Sequence, residues 1–145
     1  MTVDVAHFKE VLGHYATGLV IVSATTSDGP AGFTCQTFGS LSLEPPLVTF
    51  AAATEGHSWG LVRQSSLVGI SILSADQEPL ARRFATSGVD KFEGMPWEKG
   101  PDGSPLLDGA LASLAPYFGC AVVGLDTGEE HPGRPERRPS GLAAP

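Results

Sequence analysis

The sequence predicts a mainly β fold, a small antiparallel barrel with two or three helices lying outside the sheet. Three observations predict it. The apolar residues gather in runs of roughly four to eight, the length of a strand, and several are rich in Val, Ile and Thr. Turn residues punctuate the chain about every ten positions, the spacing of short antiparallel strands. The 145 residues include 18 Gly and 12 Pro, which favour turns over long helices. A doubly wound parallel sheet would need a long helical crossover between successive strands, and the sequence does not supply enough of them.

Taken in order, residues 5–15 place Val5, Phe8, Leu12 and Tyr15 at helical spacing behind Asp4, a suitable N-cap, and Gly18 closes the segment. Residues 19–24 form a β-branched run. Ser27-Asp28-Gly29-Pro30 is a turn, and a second strand runs from 31 to 38, so the pair reads as a hairpin. The stretch from Gln36 to Ser42 is rich in hydroxyls, and Glu44-Pro45-Pro46 ends any regular element there. Residues 47–53 read as a buried strand, 58–64 as a short helix and 67–73 as another strand. Ser74-Ala75-Asp76-Gln77 fits a capping box and opens a helix that reaches Phe84. Residues 86–105 hold several Gly and Pro and are expected to be an ordered loop, after which 106–123 supply one or two strands.

Length and composition suit one domain with a single core. A net charge of −7 argues against nucleic acid or anionic lipid as the main partner, since both carry the same sign. The cysteines, Cys35 and Cys120, lie far apart and form no C-x-x-C pair, and the four histidines show no metal-ligand spacing, so no metal is expected. Asp4, His7 and Lys9 interrupt the N-terminal apolar residues, which excludes a signal-peptide core there, and no apolar run approaches the roughly 20 residues of a membrane helix. A cytoplasmic protein is expected. Residues 126–145 are dominated by Pro, Gly, Arg and Glu, without Val, Ile or aromatics; they are expected to form a disordered tail behind a domain of residues 1–125.

Several motifs agree in order with one known family. Phe8, Leu12, Gly13, Thr17 and Gly18 open the match. The stretch from Gly32 through Ser42, followed by Pro45-Pro46-Leu47-Val48, is its most specific part. Ala75-Asp76-Gln77, Ala81-Arg82-Arg83-Phe84, Asp90-Lys91-Phe92 and the stretch from Pro105 to Ala112 continue it. Over residues 8–114 the chain resembles the FMN-binding split-barrel flavin reductases that serve two-component monooxygenases. The resemblance implies an antiparallel split β-barrel. It also implies hydride transfer from NADH or NADPH to FMN, or to FAD, and release of reduced flavin to a flavin-dependent oxygenase. A homodimer with the site near the subunit interface is implied as well.

Each implied site residue has a physical reason. FMN presents a ring edged with carbonyl and N–H groups, a ribityl chain of hydroxyls and a phosphate. Gln36, Thr37, Phe38, Ser40 and Ser42, with the backbone between them, offer donors, acceptors and an apolar surface for the ring and ribityl chain, and Gly39 permits close approach. His57, Ser58 and Trp59 open a helix whose free amides suit the phosphate. Arg82, Arg83 and Lys91 are candidates for its counter-charge. No side chain is implied as a catalytic acid or base, because the cofactors carry the electronics and the protein aligns them. The same hydroxyls of Thr37, Ser40 and Ser42 could instead satisfy strand-edge amides.

Two other functions compete. Gly56-His57-Ser58-Trp59-Gly60 fits the G-x-S-x-G nucleophile elbow of serine hydrolases, with Asp108 or Asp126 and then His131 in permissible order; but that fold needs several βαβ units around the elbow. A non-catalytic flavin-binding remnant is the other. The family's D-x-G-D-H turn is replaced here by Asp126-Thr127-Gly128-Glu129-Glu130, with His131 one residue late. Loss of the last strands through a truncated or frame-shifted gene is the expectation this raises.

Overall fold

The computed structural model describes residues 4–65, 67–115 and 119–122. Helix α1 spans Val5–Gly13, and the Asp4 carboxylate caps it by accepting the Ala6 N–H at 3.0 Å. Strands β1 (Val20–Thr26) and β2 (Gly29–Cys35) form the expected hairpin. Its turn is held by the Thr26 hydroxyl, which donates to the Gly29 carbonyl at 2.8 Å and accepts the Asp28 N–H at 3.2 Å. Strands β3 (Gly39–Leu43) and β4 (Pro46–Phe50) make a second hairpin, followed by helix α2 (His57–Val62) and strand β5 (Gly69–Ile72). A 3-10 turn over Ala75–Gln77 leads into helix α3 (Glu78–Ala85). The Ser74 N–H donates to the Gln77 side chain at 3.1 Å, the back-bond of the expected capping box. Short strands β6 (Trp97–Lys99), β7 (Pro105–Leu107), β8 (Ala112–Leu114) and β9 (Gly119–Val122) complete the described chain.

The strands form three sheets, in the orders β2-β1-β5-β8, β3-β4-β9 and β6-β7. Strand β1 is buried on both faces, which is why its sequence is a continuous apolar run and not an alternation. On one face Val20, Val22 and Ala24 meet Cys35, Phe50, Val62 and Ile70. On the other, Ile21 meets Leu73, Ala81, Phe84, Phe92 and Leu107. Two large rings, Phe50 and Phe84, are at 0% exposure, and full burial of one such side chain contributes about 1.5–3 kcal/mol.

Three expectations need correction. Strand β3 occupies part of what reads as a hydroxyl-rich connection. Residues 86–105 are not all loop, because β6 pairs there with β7; Trp97-Glu98-Lys99 carries no β-branched run to announce it. The barrel is not wholly antiparallel either. Strand β9 runs parallel to β4, Leu47 opposite Gly119 through Phe50 opposite Val122. The two are separated by the whole α2–β8 segment, long enough for the crossover that parallel pairing requires. Residues 126–145, where a tail is expected, lie outside the described residues, and so does the altered turn motif at 126–131. Among the described residues no helix is long and apolar enough to cross a membrane.

Candidate functional site

Lys91 is the centre of the geometry. Its ammonium donates at 2.7 Å to the Ser58 hydroxyl on α2, at 2.7 Å to the Phe84 carbonyl near the end of α3, and at 3.2 Å to the Gly32 carbonyl on β2. Among the described residues no carboxylate lies within ion-pair distance of it. Burial without a compensating acid pulls its pKa below that of an ordinary lysine. The result is a half-buried positive charge, fixed by three acceptors, one of them a hydroxyl in the first turn of a helix.

The loop that carries Lys91 is held from both ends. Arg83 Nη2 donates to the Asp90 carbonyl and to the Glu93 carbonyl, each at 2.7 Å. The Asp90 carboxylate accepts the Phe92 and Glu93 N–H groups at 3.0 and 3.1 Å. Phe92 anchors the loop by edge contacts with Phe84 and Trp97, ring centres 5.0 and 5.8 Å apart. Arg82, its neighbour, points outward to Glu78 in an exposed pair one helical turn away, of small energetic consequence.

The 36–42 segment divides by role. Thr37 braces the start of the second hairpin: its hydroxyl donates to the Ala51 carbonyl at 3.1 Å and accepts the Ala51 N–H at 2.8 Å. It thereby satisfies both backbone groups beyond the end of β4, the alternative role considered for it. Phe38 packs against the core cluster that contains Phe50 and Val62. Gln36 and Ser40 are exposed, and their side chains make no hydrogen bond among the described residues. Gly39 starts β3 opposite Thr49, and a bulge between Ser40 and Ser42 interrupts the pairing at Leu41. Ser42 Oγ accepts the Glu44 N–H at 3.2 Å, so it also steadies the turn before Pro45-Pro46.

On α2 the three expected residues part company. Ser58 meets Lys91. Trp59 turns inward, edge-on to Phe33 and Phe50 with each ring centre 6.2 Å away, where it packs as core. His57 is exposed at the helix start, beside a groove formed with Thr54, Glu55, Gly60, Leu61, Arg63 and Gln64. The nucleophile elbow is not formed. That device is a tight strand-to-helix turn, whereas β4 ends at Phe50 and α2 begins only at His57, and the neighbour of Ser58 is a lysine. His131, the base such a triad would require, lies outside the described residues. Among the described residues no cluster of three His, Cys, Asp or Glu could hold a metal ion.

The match to known proteins is consistent with this arrangement. The flavin reductase like domain matches residues 12–131. The chain belongs to that family. A relative among curated proteins, the reductase subunit HsaB of a flavin-dependent monooxygenase from Rhodococcus jostii, is 36% identical over 129 residues, covering 89% of this chain and 64% of its own. The FMN reductase (NADH) SmoA of Agrobacterium fabrum is 38% identical over 105 residues, covering 72% of this chain and 60% of its own. Among solved structures, nitrilotriacetate monooxygenase component B from Mycobacterium thermoresistibile superimposes with a TM-score of 0.72 at 37% identity, over 76% of this chain and 62% of that one. The chain thus spans somewhat less than two thirds of the length of these flavin reductase relatives. The split-barrel expectation holds with them.

Sequence reasoning missed the partners that hold Lys91 and its loop in place. The carbonyls of Gly32 and Phe84 carry no residue-type signal at all. Asp90 did carry one, since an Asp two and three residues ahead of backbone N–H groups is the pattern of a local side-chain turn.

Proposed function

We propose that this chain binds flavin at the Lys91–Ser58 corner and takes part in NAD(P)H-dependent flavin reduction for a partner oxygenase. One observation carries the reading: a half-buried lysine ammonium with no acidic partner among the described residues, held against a helix hydroxyl. A charge in that setting costs the fold unless an anion meets it, and the flavin phosphate is the anion that flavin reductase relatives would bring.

The donor set fits FMN. Lys91 and Ser58 suit the phosphate. Gln36 and Ser40, exposed and without partners among the described residues, suit the ribityl hydroxyls or ring edge, with the backbone of Gly39 and Ser42 beside them. Phe38, Thr37 and Trp59 shape this wall from behind, by packing and bracing. Bound flavin supplies the two-electron acceptor for a nicotinamide hydride. The chain's own residues have only to hold it and exclude water. NADH is the favoured donor because SmoA, a relative by sequence, is an FMN reductase (NADH). An oxygenase partner follows from HsaB, a monooxygenase reductase subunit. A homodimer is proposed on a separate observation: α1 buries none of its residues, so a second copy would cover its apolar stripe.

The test is a fluorescence titration of the folded chain with FMN and with riboflavin, followed by NADH oxidation with and without added flavin. Saturable binding that favours FMN, and oxidation that depends on it, are expected. A folded chain that binds neither flavin would overturn the proposal.

A further inference from the structure

We propose that Arg83 is not a phosphate ligand but a positioning residue that acts through Lys91, and that Asp90 completes the same clasp; this rests on the flavin reading above. The two adjacent arginines of α3 differ sharply. Arg82 is spent on an exposed pair with Glu78. Arg83 is partly buried and directs one nitrogen to two backbone carbonyls, those of Asp90 and Glu93, at 2.7 Å each. These carbonyls bracket Lys91 in sequence. The Asp90 carboxylate closes the loop from within on the N–H groups of Phe92 and Glu93, and Phe92 is wedged on Phe84.

The loop is therefore fixed at both ends, and what it delivers is the Lys91 ammonium. A free lysine side chain forfeits considerable rotamer entropy when immobilised. A rigid loop aims it in advance, so less is lost when an anion arrives. The surroundings of Arg83 argue against direct contact with phosphate. The groove it lines includes both Asp90 and Glu93, with Thr86 and Val89, so a dianion there would face two acidic residues.

The experiment compares FMN and riboflavin affinities, by fluorescence quenching, in Lys91→Met, Arg83→Met, Asp90→Ala and the double variant of Lys91 and Arg83. Loss of a charge-assisted bond corresponds to on the order of tenfold in affinity. Arg83→Met is expected to weaken FMN by about that factor while leaving riboflavin affinity unchanged, which a general loss of structure would not do. In the Lys91→Met background the same change should have no further effect on the FMN-to-riboflavin ratio. Asp90→Ala separates the ideas by sign. Removing a negative charge near a directly bound phosphate should tighten FMN, whereas loosening the clasp should weaken it. That variant also decides the question if Arg83→Met does not fold. Additive losses in the double variant, or tighter FMN binding by Asp90→Ala, would overturn the inference and leave the flavin reading intact. Equal affinity of the unaltered chain for FMN and riboflavin, or no effect of Lys91→Met, would overturn both.

Discussion

Lys91 carries a pH dependence whose sign follows from its burial. Desolvation depresses its folded-state pKa, so the folded chain releases this proton at a lower pH than the unfolded chain does. Between the two values the unfolded chain binds more protons, and raising the pH through that window favours the fold. Flavin binding should run the other way. Once Lys91 is neutral the phosphate loses its counter-charge, so the preference for FMN over riboflavin is expected to fade below the pH at which an ordinary lysine titrates. Lys91→Arg should extend that preference to higher pH, because arginine keeps its proton; a titration series across the alkaline range checks both. Ser40 and Ser42 differ from Thr37 in what their hydroxyls already do. Ser40→Ala is expected to weaken FMN binding about tenfold or less, with no change in melting temperature, since that hydroxyl has no partner among the described residues. Ser42→Ala should also weaken FMN binding but lower stability slightly, because it gives up the Glu44 N–H. Unchanged FMN affinity in both would remove these residues from the site.

The short β6–β7 ribbon shows how polar residues can hold an element that hydrophobic pattern does not announce. Ser23 and Ser71 are fully buried in the central sheet. The Ser23 hydroxyl donates to the Pro105 carbonyl at 2.6 Å, and the Ser71 hydroxyl accepts the Leu107 N–H at 3.0 Å. Gly69 lets the ribbon come close, for a Cβ placed there would stand 2.5 Å from the Pro105 carbonyl oxygen. Ser71→Ala leaves a buried N–H unsatisfied and is expected to cost about 1–3 kcal/mol. Gly69→Ala should cost a similar about 1–3 kcal/mol through overpacking. Thermal and denaturant unfolding measure both. If neither variant is less stable, the serines and the glycine are not what seats the ribbon.

At the scale of the molecule the unusual feature is an uncovered helix. In and just after α1, Val5, Phe8, Leu12 and Tyr15 are 64%, 51%, 50% and 72% exposed, although their spacing is that of a buried stripe. A helix this short is marginal alone in water, and an apolar face of this kind marks an interaction surface. Phe8→Asp is expected to shift the chain from dimer to monomer in sedimentation equilibrium while the sheet core stays folded. A monomeric unaltered chain would remove the dimer from the proposal.

The sequence by itself determined where most elements lie. The run from Val20 to Ala24, the Ser27-Asp28 turn and the Ser74–Gln77 cap are all local patterns, and local patterns act through nearest neighbours and period. The helix at α1 was equally legible, although its apolar stripe does not face this chain's own core. The grouping of Gln36–Ser42, Ser58 and Lys91 as the proposed flavin site rests on motif resemblance, and the contacts each side chain makes are not legible in the sequence. Residue type states what a group can bond with, and only the tertiary structure decides which partner is in reach. Thr37 found Ala51, Trp59 found Phe33 and Phe50, and Arg83 found two backbone carbonyls. Backbone carbonyls leave no mark in a sequence, and neither does the parallel seating of β9 on β4, because both depend on segments that meet only when the chain has folded.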